Sequence, residues 1–182
     1  MLRNVLFALG FGAFGMLAAA PASAQVSPYV GIGIGPAITI DDFPNQVRVE
    51  QEIGLTFGHR DGFYLSFNPA QSWGNDFWML VFPVGLGGTA DLFHNRDVRF
   101  QIGGGGTVGV AISDRFDTPG TDPQIWFHLT VGGLVRLLVL DDRLAIYLRP
   151  VSFEFAIADR ATFGWGNEAI RYFLAGGIQY YF

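Results

Sequence analysis

The feature that most constrains this chain is an alternation of apolar side chains at every second position, repeated in eight segments between residue 28 and the terminal Phe182. A period of two is the signature of a strand whose two faces meet different surroundings. The first segment, about 28–40, sets Val30, Ile32, Ile34, Ile38 and Ile40 against Gly31, Gly33, Gly35, Ala37 and Thr39. The second, about 46–58, sets Val47, Val49, Ile53, Leu55 and Phe57 against Arg48, Glu50, Glu52, Gly54 and Thr56, with Gln51 the one polar residue on the apolar side. Further segments at about 63–68, 77–89, 98–112, 124–140, 144–157 and 168–182 repeat the pattern. In the seventh the parity slips near Pro150, which cannot donate to a ladder, so a bulge is expected there. The inner glycines Gly31, Gly33 and Gly35 are expected to leave room for Arg and Tyr from the facing wall.

Alternation alone does not say which face looks at water. Charge does. An Arg facing the middle of a bilayer costs about 2–4 kcal/mol, so five strand arginines, Arg48, Arg99, Arg136, Arg149 and Arg171, are expected to share the interior with Glu50, Glu52 and Glu154. The apolar face then looks outward at lipid. The predicted fold is therefore all-β, an eight-stranded antiparallel up-and-down transmembrane barrel, whose narrow interior is filled by side chains.

The connections support the same reading. His59 to Gly62 and Asp141 to Arg143 are tight turns and Ala90 to Asp97 is intermediate, whereas residues 41–45, Pro69 to Asp76, Ser113 to Pro123 and 158–167 read as loops. Short turns belong on the periplasmic side and longer loops outside, which would put both termini in the periplasm. Under that topology Trp73, Trp78, Trp126 and Trp165 fall where an interfacial aromatic girdle belongs, and every Asp falls in a turn or loop.

Residues 1–24 read as a cleaved secretory signal: Arg3, an apolar run from Val5 to Ala20, then Ala22-Ser23-Ala24 before Gln25. A retained anchor is the competing reading, disfavoured by the short Gly- and Ala-rich run. The barrel domain would then be residues 25–182. The chain contains no Cys, so no disulfide contributes to its stability. A net charge of −5 with no basic tract argues against a nucleic-acid partner.

The ending Gly177-Ile178-Gln179-Tyr180-Tyr181-Phe182, with alternating aromatics and a final Phe, resembles the C-terminal signature of bacterial outer-membrane barrels. The whole of residues 25–182 resembles the small eight-stranded class typified by the outer-membrane proteins A and X. That resemblance implies location in the outer membrane of a Gram-negative cell, contact with its lipid and lipopolysaccharide, and recognition by the barrel assembly machinery, with Tyr180 and Phe182 as the assembly signal.

Several constellations of residues bear on chemistry. Gly104, Gly106 and Gly109 match a dinucleotide fingerprint in spacing but lie inside a strand, without the helix N-terminus that binds pyrophosphate. His59, His94 and His128 are far apart and have no zinc-site spacing, so neither metal nor cofactor is expected. If the sixth and seventh strands pair across Asp141-Asp142-Arg143, His128, Ser152 and Glu154 approach one another as base, nucleophile and orienting carboxylate. That grouping loosely resembles outer-membrane lipid A deacylases, but those carry a His-x-Ser motif on one strand where this chain has His128-Leu129-Thr130. An interior hydrogen-bond network is the plainer account of the same residues.

The function expected is a non-enzymatic structural or surface-interaction role. Contacts would come from the outer-loop residues Asp41, Asp42, Phe43, Asp114, Arg115, Phe116, Asp117, Asp122 and Trp165, because loops on a rigid scaffold carry binding. The alternatives are an enzyme acting on lipid A or phospholipid acyl chains, a narrow small-solute channel, and a soluble periplasmic barrel.

Overall fold

The computed structural model describes residues 25–39, 45–58, 62–74, 77–115, 124–158 and 168–182. They form eleven strands: β1 (Val26–Thr39), β2 (Gln46–Phe57), β3 (Gly62–Phe67), β4 (Ala70–Trp73), β5 (Phe77–His94), β6 (Arg99–Arg115), β7 (Gln124–Val139), β8 (Leu144–Arg149), β9 (Ser152–Ala158), β10 (Glu168–Phe173) and β11 (Ala175–Tyr181). All pairings are antiparallel. β3 continues as β4, β8 as β9 and β10 as β11, so the ring has eight positions and closes where β1 pairs with both β2 and β11. Closure removes every sheet edge.

The wall is apolar outside and polar inside. Ile34 and Ile53 are each 59% exposed on the outer face, whereas Arg136, on the inner face, is 1% exposed. Inner positions belong to Arg48, Glu50 and Glu52 on β2, Arg99 and Gln101 on β6, His128 and Arg136 on β7, and Arg171 and Gln179 on the last stave, all buried. This inverts the pattern of a water-soluble barrel. It leaves the apolar belt to a solvent that is itself apolar.

The structure departs from the sequence reading in several places. Residues 69–76 are not all loop: Ala70–Trp73 forms β4, which pairs with β2 and β5. Pro69 interrupts this stave without shifting it, since Ile53 faces Phe67 and, in unchanged register, Glu50 faces Ala70. At Pro150 the register does slip. Two β7 residues, Gly133 and Leu134, lie opposite the three residues from Arg149 to Val151, and the Val151 carbonyl accepts from Gly133 N at 2.7 Å. One proline thus sits in a continuous ladder and the other in a bulge.

Strand β5 runs on to His94, with Leu92 as the extra residue of a bulge, so Asp91 lies in a strand rather than in a turn. Trp126 is not part of an interfacial girdle. It points into the lumen, 1% exposed, and its indole N–H donates to Ser113 Oγ at 2.6 Å.

The inner glycines make room mainly for neighbours on the same wall. The Tyr147 ring, from β8, covers Gly33, and Gln179, on β11, lies over Gly31. Gly54 lies under the ring of Tyr29, where a Cβ would collide with it. The β7–β8 turn holds Leu140, Asp141 and Asp142 at φ of 55°, 55° and 61°, the left-handed region that costs an L-residue about 1–2 kcal/mol. Asp142, held there, reaches Arg99 Nη2 at 2.9 Å.

Candidate functional site: the polar lumen

The inner positions of β2 place Arg48, Glu50 and Glu52 in a column, one every second residue, about 6–7 Å apart. Residues from the opposite wall interleave with it. Arg149, at the end of β8, binds Glu50 and reaches Glu52 at 3.2 Å. Arg48 lies 3.6 Å from Glu50 and forms an ion pair with Glu154 of β9, which also pairs with Arg171 of β10. The result is an alternating ladder, Glu52, Arg149, Glu50, Arg48, Glu154, Arg171, with three charges of each sign. Removing one member of such a buried set leaves its partner uncompensated, so it is held together by mutual need even where its net stabilisation is small.

Toward the turn end, the ladder passes into neutral partners. Glu52 accepts from the Tyr29 hydroxyl at 2.7 Å and from Gln179 Nε2 at 2.8 Å. Arg136 donates to Tyr181 and to Thr89 Oγ1, the latter at 2.9 Å, with the Tyr181 ring 5.8 Å from its guanidinium carbon. Arg99 lies apart from the ladder at the turn rim, bound to Asp91 at 3.0 Å as well as to Asp142. The tyrosines, Gln179, Gln101 and Asp91 were not singled out from the sequence. Parity sets the tyrosines, Gln179 and Gln101 inward, though nothing local says which of them meets an Arg; Asp91 joins them only because β5 runs on past the predicted connection.

His128 and Glu154 come together, with Nε2 2.8 Å from Oε2, although the imidazole is not aligned for a hydrogen bond. Ser152 does not join them. The register sets His128 opposite Ala156, Thr130 opposite Glu154 and Gly132 opposite Ser152. Ser152 therefore lies four residues along the ladder from the His128 row, about 13 Å, and Glu154 lies between. This geometry forms an ion-pair knot in place of a nucleophile with its base. Among the described residues, no group of three His, Cys, Asp or Glu is placed to hold a metal.

A cavity of about 40 Å³ interrupts the filling at mid-lumen, between Arg48, Arg149, Asn68 and the glycines Gly105, Gly106 and Gly132. Asn68 Oδ1 and Thr107 Oγ1 line it, buried and without a protein partner. Its size suits about three water molecules, and its polar lining would hold them.

Of the residues assigned to outer contact, Asp41, Asp42, Phe43, Phe116, Asp117, Asp122 and Trp165 lie outside the described residues. Asp114 and Arg115 end β6, where their backbone pairs with Trp78 and Phe77. Tyr180 and Phe182 both face outward, in an edge-on ring contact at 5.4 Å.

This inside-out ring matches solved barrels. Neisserial surface protein A superposes with a TM-score of 0.56 at 11% identity, over 88% of this chain and 99% of that one. The N-terminal β-barrel domain of Pseudomonas aeruginosa OprF superposes with a TM-score of 0.50 at 11% identity, over 87% of this chain and all of that one. No family model and no curated protein sequence matches the chain. The fold is that of the small eight-stranded outer-membrane β-barrels, and identity this low carries the architecture alone.

Proposed function

We propose that this chain is an integral outer-membrane barrel with a non-enzymatic, structural and surface-interaction role: a closed scaffold presenting acidic loops outside the cell. The observation that carries this reading is the lumen, where paired Arg and Glu leave a cavity of only about 40 Å³, under a belt that is apolar along most of its height. Such a filling favours a scaffold over a solute path, because eight strands enclose little more than their own side chains. In this reading residues 1–24 are removed on export, both termini face the periplasm, and the assembly machinery reads Tyr180 and Phe182. Outer-membrane lipid and lipopolysaccharide surround the belt, and residues 41–43, 114–117, 122 and 165 make the external contacts.

The test compares cells lacking the protein with cells carrying either the intact chain or a form whose residues 116–123 are replaced by a Gly-Ser linker. Detergent resistance restored by both forms supports a structural role, and restoration or cell-surface binding by the intact form alone assigns the function to the loops. Lipid A and phospholipid mass spectra should be unchanged by expression. A change in acyl content abolished by His128→Ala with Ser152→Ala would replace this reading with an enzymatic one. Steady single-channel conductance from the pure protein in a planar bilayer would replace it with a channel.

A further inference from the structure

The outer face of the barrel is aliphatic or aromatic along most of its height, and two carboxamides interrupt it. Gln51 on β2 and Gln71 on β4 both point outward and are exposed, and neither amide has a hydrogen-bond partner among the described residues. Tyr172, also on the outer face, differs in that its hydroxyl donates to the Pro150 carbonyl. Gln51 sits beside Ile32 and Pro69, and Gln71 beside Val49 and Leu80, so the two are diagonal neighbours on one seam. Gln51 lies four residues, about 13 Å, along β2 from the Val47–Trp73 pair and six, about 20 Å, from the Phe57–Phe63 pair, well within the belt.

The backbone is short of donors at the same place. Gln51 N donates to the Pro69 carbonyl at 2.8 Å and Asn68 N to the Pro83 carbonyl at 3.0 Å, but neither proline has an N–H to return. The carbonyls of Gln51 and Asn68 therefore lack their ladder donors. Hydrocarbon supplies neither a donor nor an acceptor to such groups.

We propose that the β2–β4 seam, centred on Gln51 and Gln71, is the docking face for a second copy of this chain, packed side by side with the first in the membrane. A primary amide carries both donor and acceptor, so it is its own complement. A two-fold axis parallel to the barrel axes sets each residue against its equivalent at the same depth, so that Gln51 meets the partner's Gln51 and Gln71 the partner's Gln71. The second N–H of each amide remains free for an orphan carbonyl. Lipid tails offer no such match, and headgroups do not reach the middle of the belt. The inference rests on the membrane reading of the barrel and adds its oligomeric state.

The chain has no Cys, so single-cysteine variants report without ambiguity. In membranes of cells expressing the full chain, Gln51→Cys should form an oxidative crosslink of twice the monomer mass. Val131→Cys, 52% exposed on β7 across the barrel, should not. With Ile34→Cys, one strand to the side of the seam, as reporter and a membrane-permeant bismaleimide to span the gap between its two copies, adding Gln51→Leu and Gln71→Leu should lower the dimer yield about tenfold or more, since each interhelix-type polar contact in a membrane is worth about one order of magnitude in association. Equal crosslinking at 51 and 131, none at 51, a product of another mass, or a dimer indifferent to the double Leu change would each overturn the proposal. Membrane fractionation and heat-dependent gel mobility of the same samples separate that failure from failure of the membrane reading itself.

Discussion

The two halves of the lumen solve the same problem with different chemistry. Toward the loops, one carboxylate, Glu154, fully buried, is surrounded by Arg48, Arg171 and His128. Toward the turns, Arg136 is held by the Tyr181 and Thr89 hydroxyls and by Gln179, and Tyr29 and Tyr147 close over Gly54 and Gly33. The loop-side half depends on charge balance at one point. Inside the rim ion pairs of Arg99 with Asp91 and Asp142, the turn-side half depends on shape and on several neutral hydrogen bonds, each replaceable in part by its neighbours. A barrel with its charges concentrated this way should be brittle on one side and tolerant on the other.

The largest effect should follow Glu154→Gln, which keeps the shape but removes the anion that Arg48 and Arg171 share, leaving Arg48 with Glu50 at 3.6 Å. We expect a loss of about 3–5 kcal/mol, read as a lower urea midpoint for the barrel refolded in lipid vesicles. A midpoint equal to that of the unaltered protein would remove the supposed weak point. Next, Gly54→Val drives a branched side chain into the Tyr29 ring and should cost about 1–3 kcal/mol in the same assay. Combining it with Tyr29→Ala should recover part of that loss, and a pair of changes that simply add would show that shape is not what holds the turn-side half. The smallest effect belongs to Tyr181→Phe, which deletes one hydroxyl from Arg136 and should cost about 1–2 kcal/mol, because Thr89 and Gln179 remain. If it proved as damaging as Glu154→Gln, the contrast between the halves would collapse.

Much of the fold was legible because period two is a local property. Each residue's face follows from its own strand, so the inward side of β2 could be read from Arg48, Glu50 and Glu52 without knowing what they meet. Two misreadings show where local signals stop. Ala70–Trp73 follows a proline and is only four residues long, so nothing in it announces a strand; it is one because β2 and β5 on either side offer a ladder in register. Trp126 has the chemistry of an interfacial residue, but its parity with His128 and its bond to Ser113 take it inside. Polar and apolar preferences conflict in an indole, and the register of β7 decides.

The grouping of His128, Ser152 and Glu154 was beyond the reach of sequence for a related reason. Pro150 signalled a bulge, but the pairing of Ser152 with Gly132 depends on how many residues β7 spends opposite it, which both strands set together. Only two of the three residues then meet.

The sequence by itself determined that the chain forms a ring of strands with an apolar outside and a charged inside, because alternation and the cost of an Arg in hydrocarbon are matters of single residues and their surroundings. Which Arg meets which Glu, which glycine lies beneath which tyrosine, and where two unpartnered amides come together on the outer wall were decided only by closure of the ring. Those contacts join residues far apart in the chain, and their registers are set by the whole set of ladders closing at once.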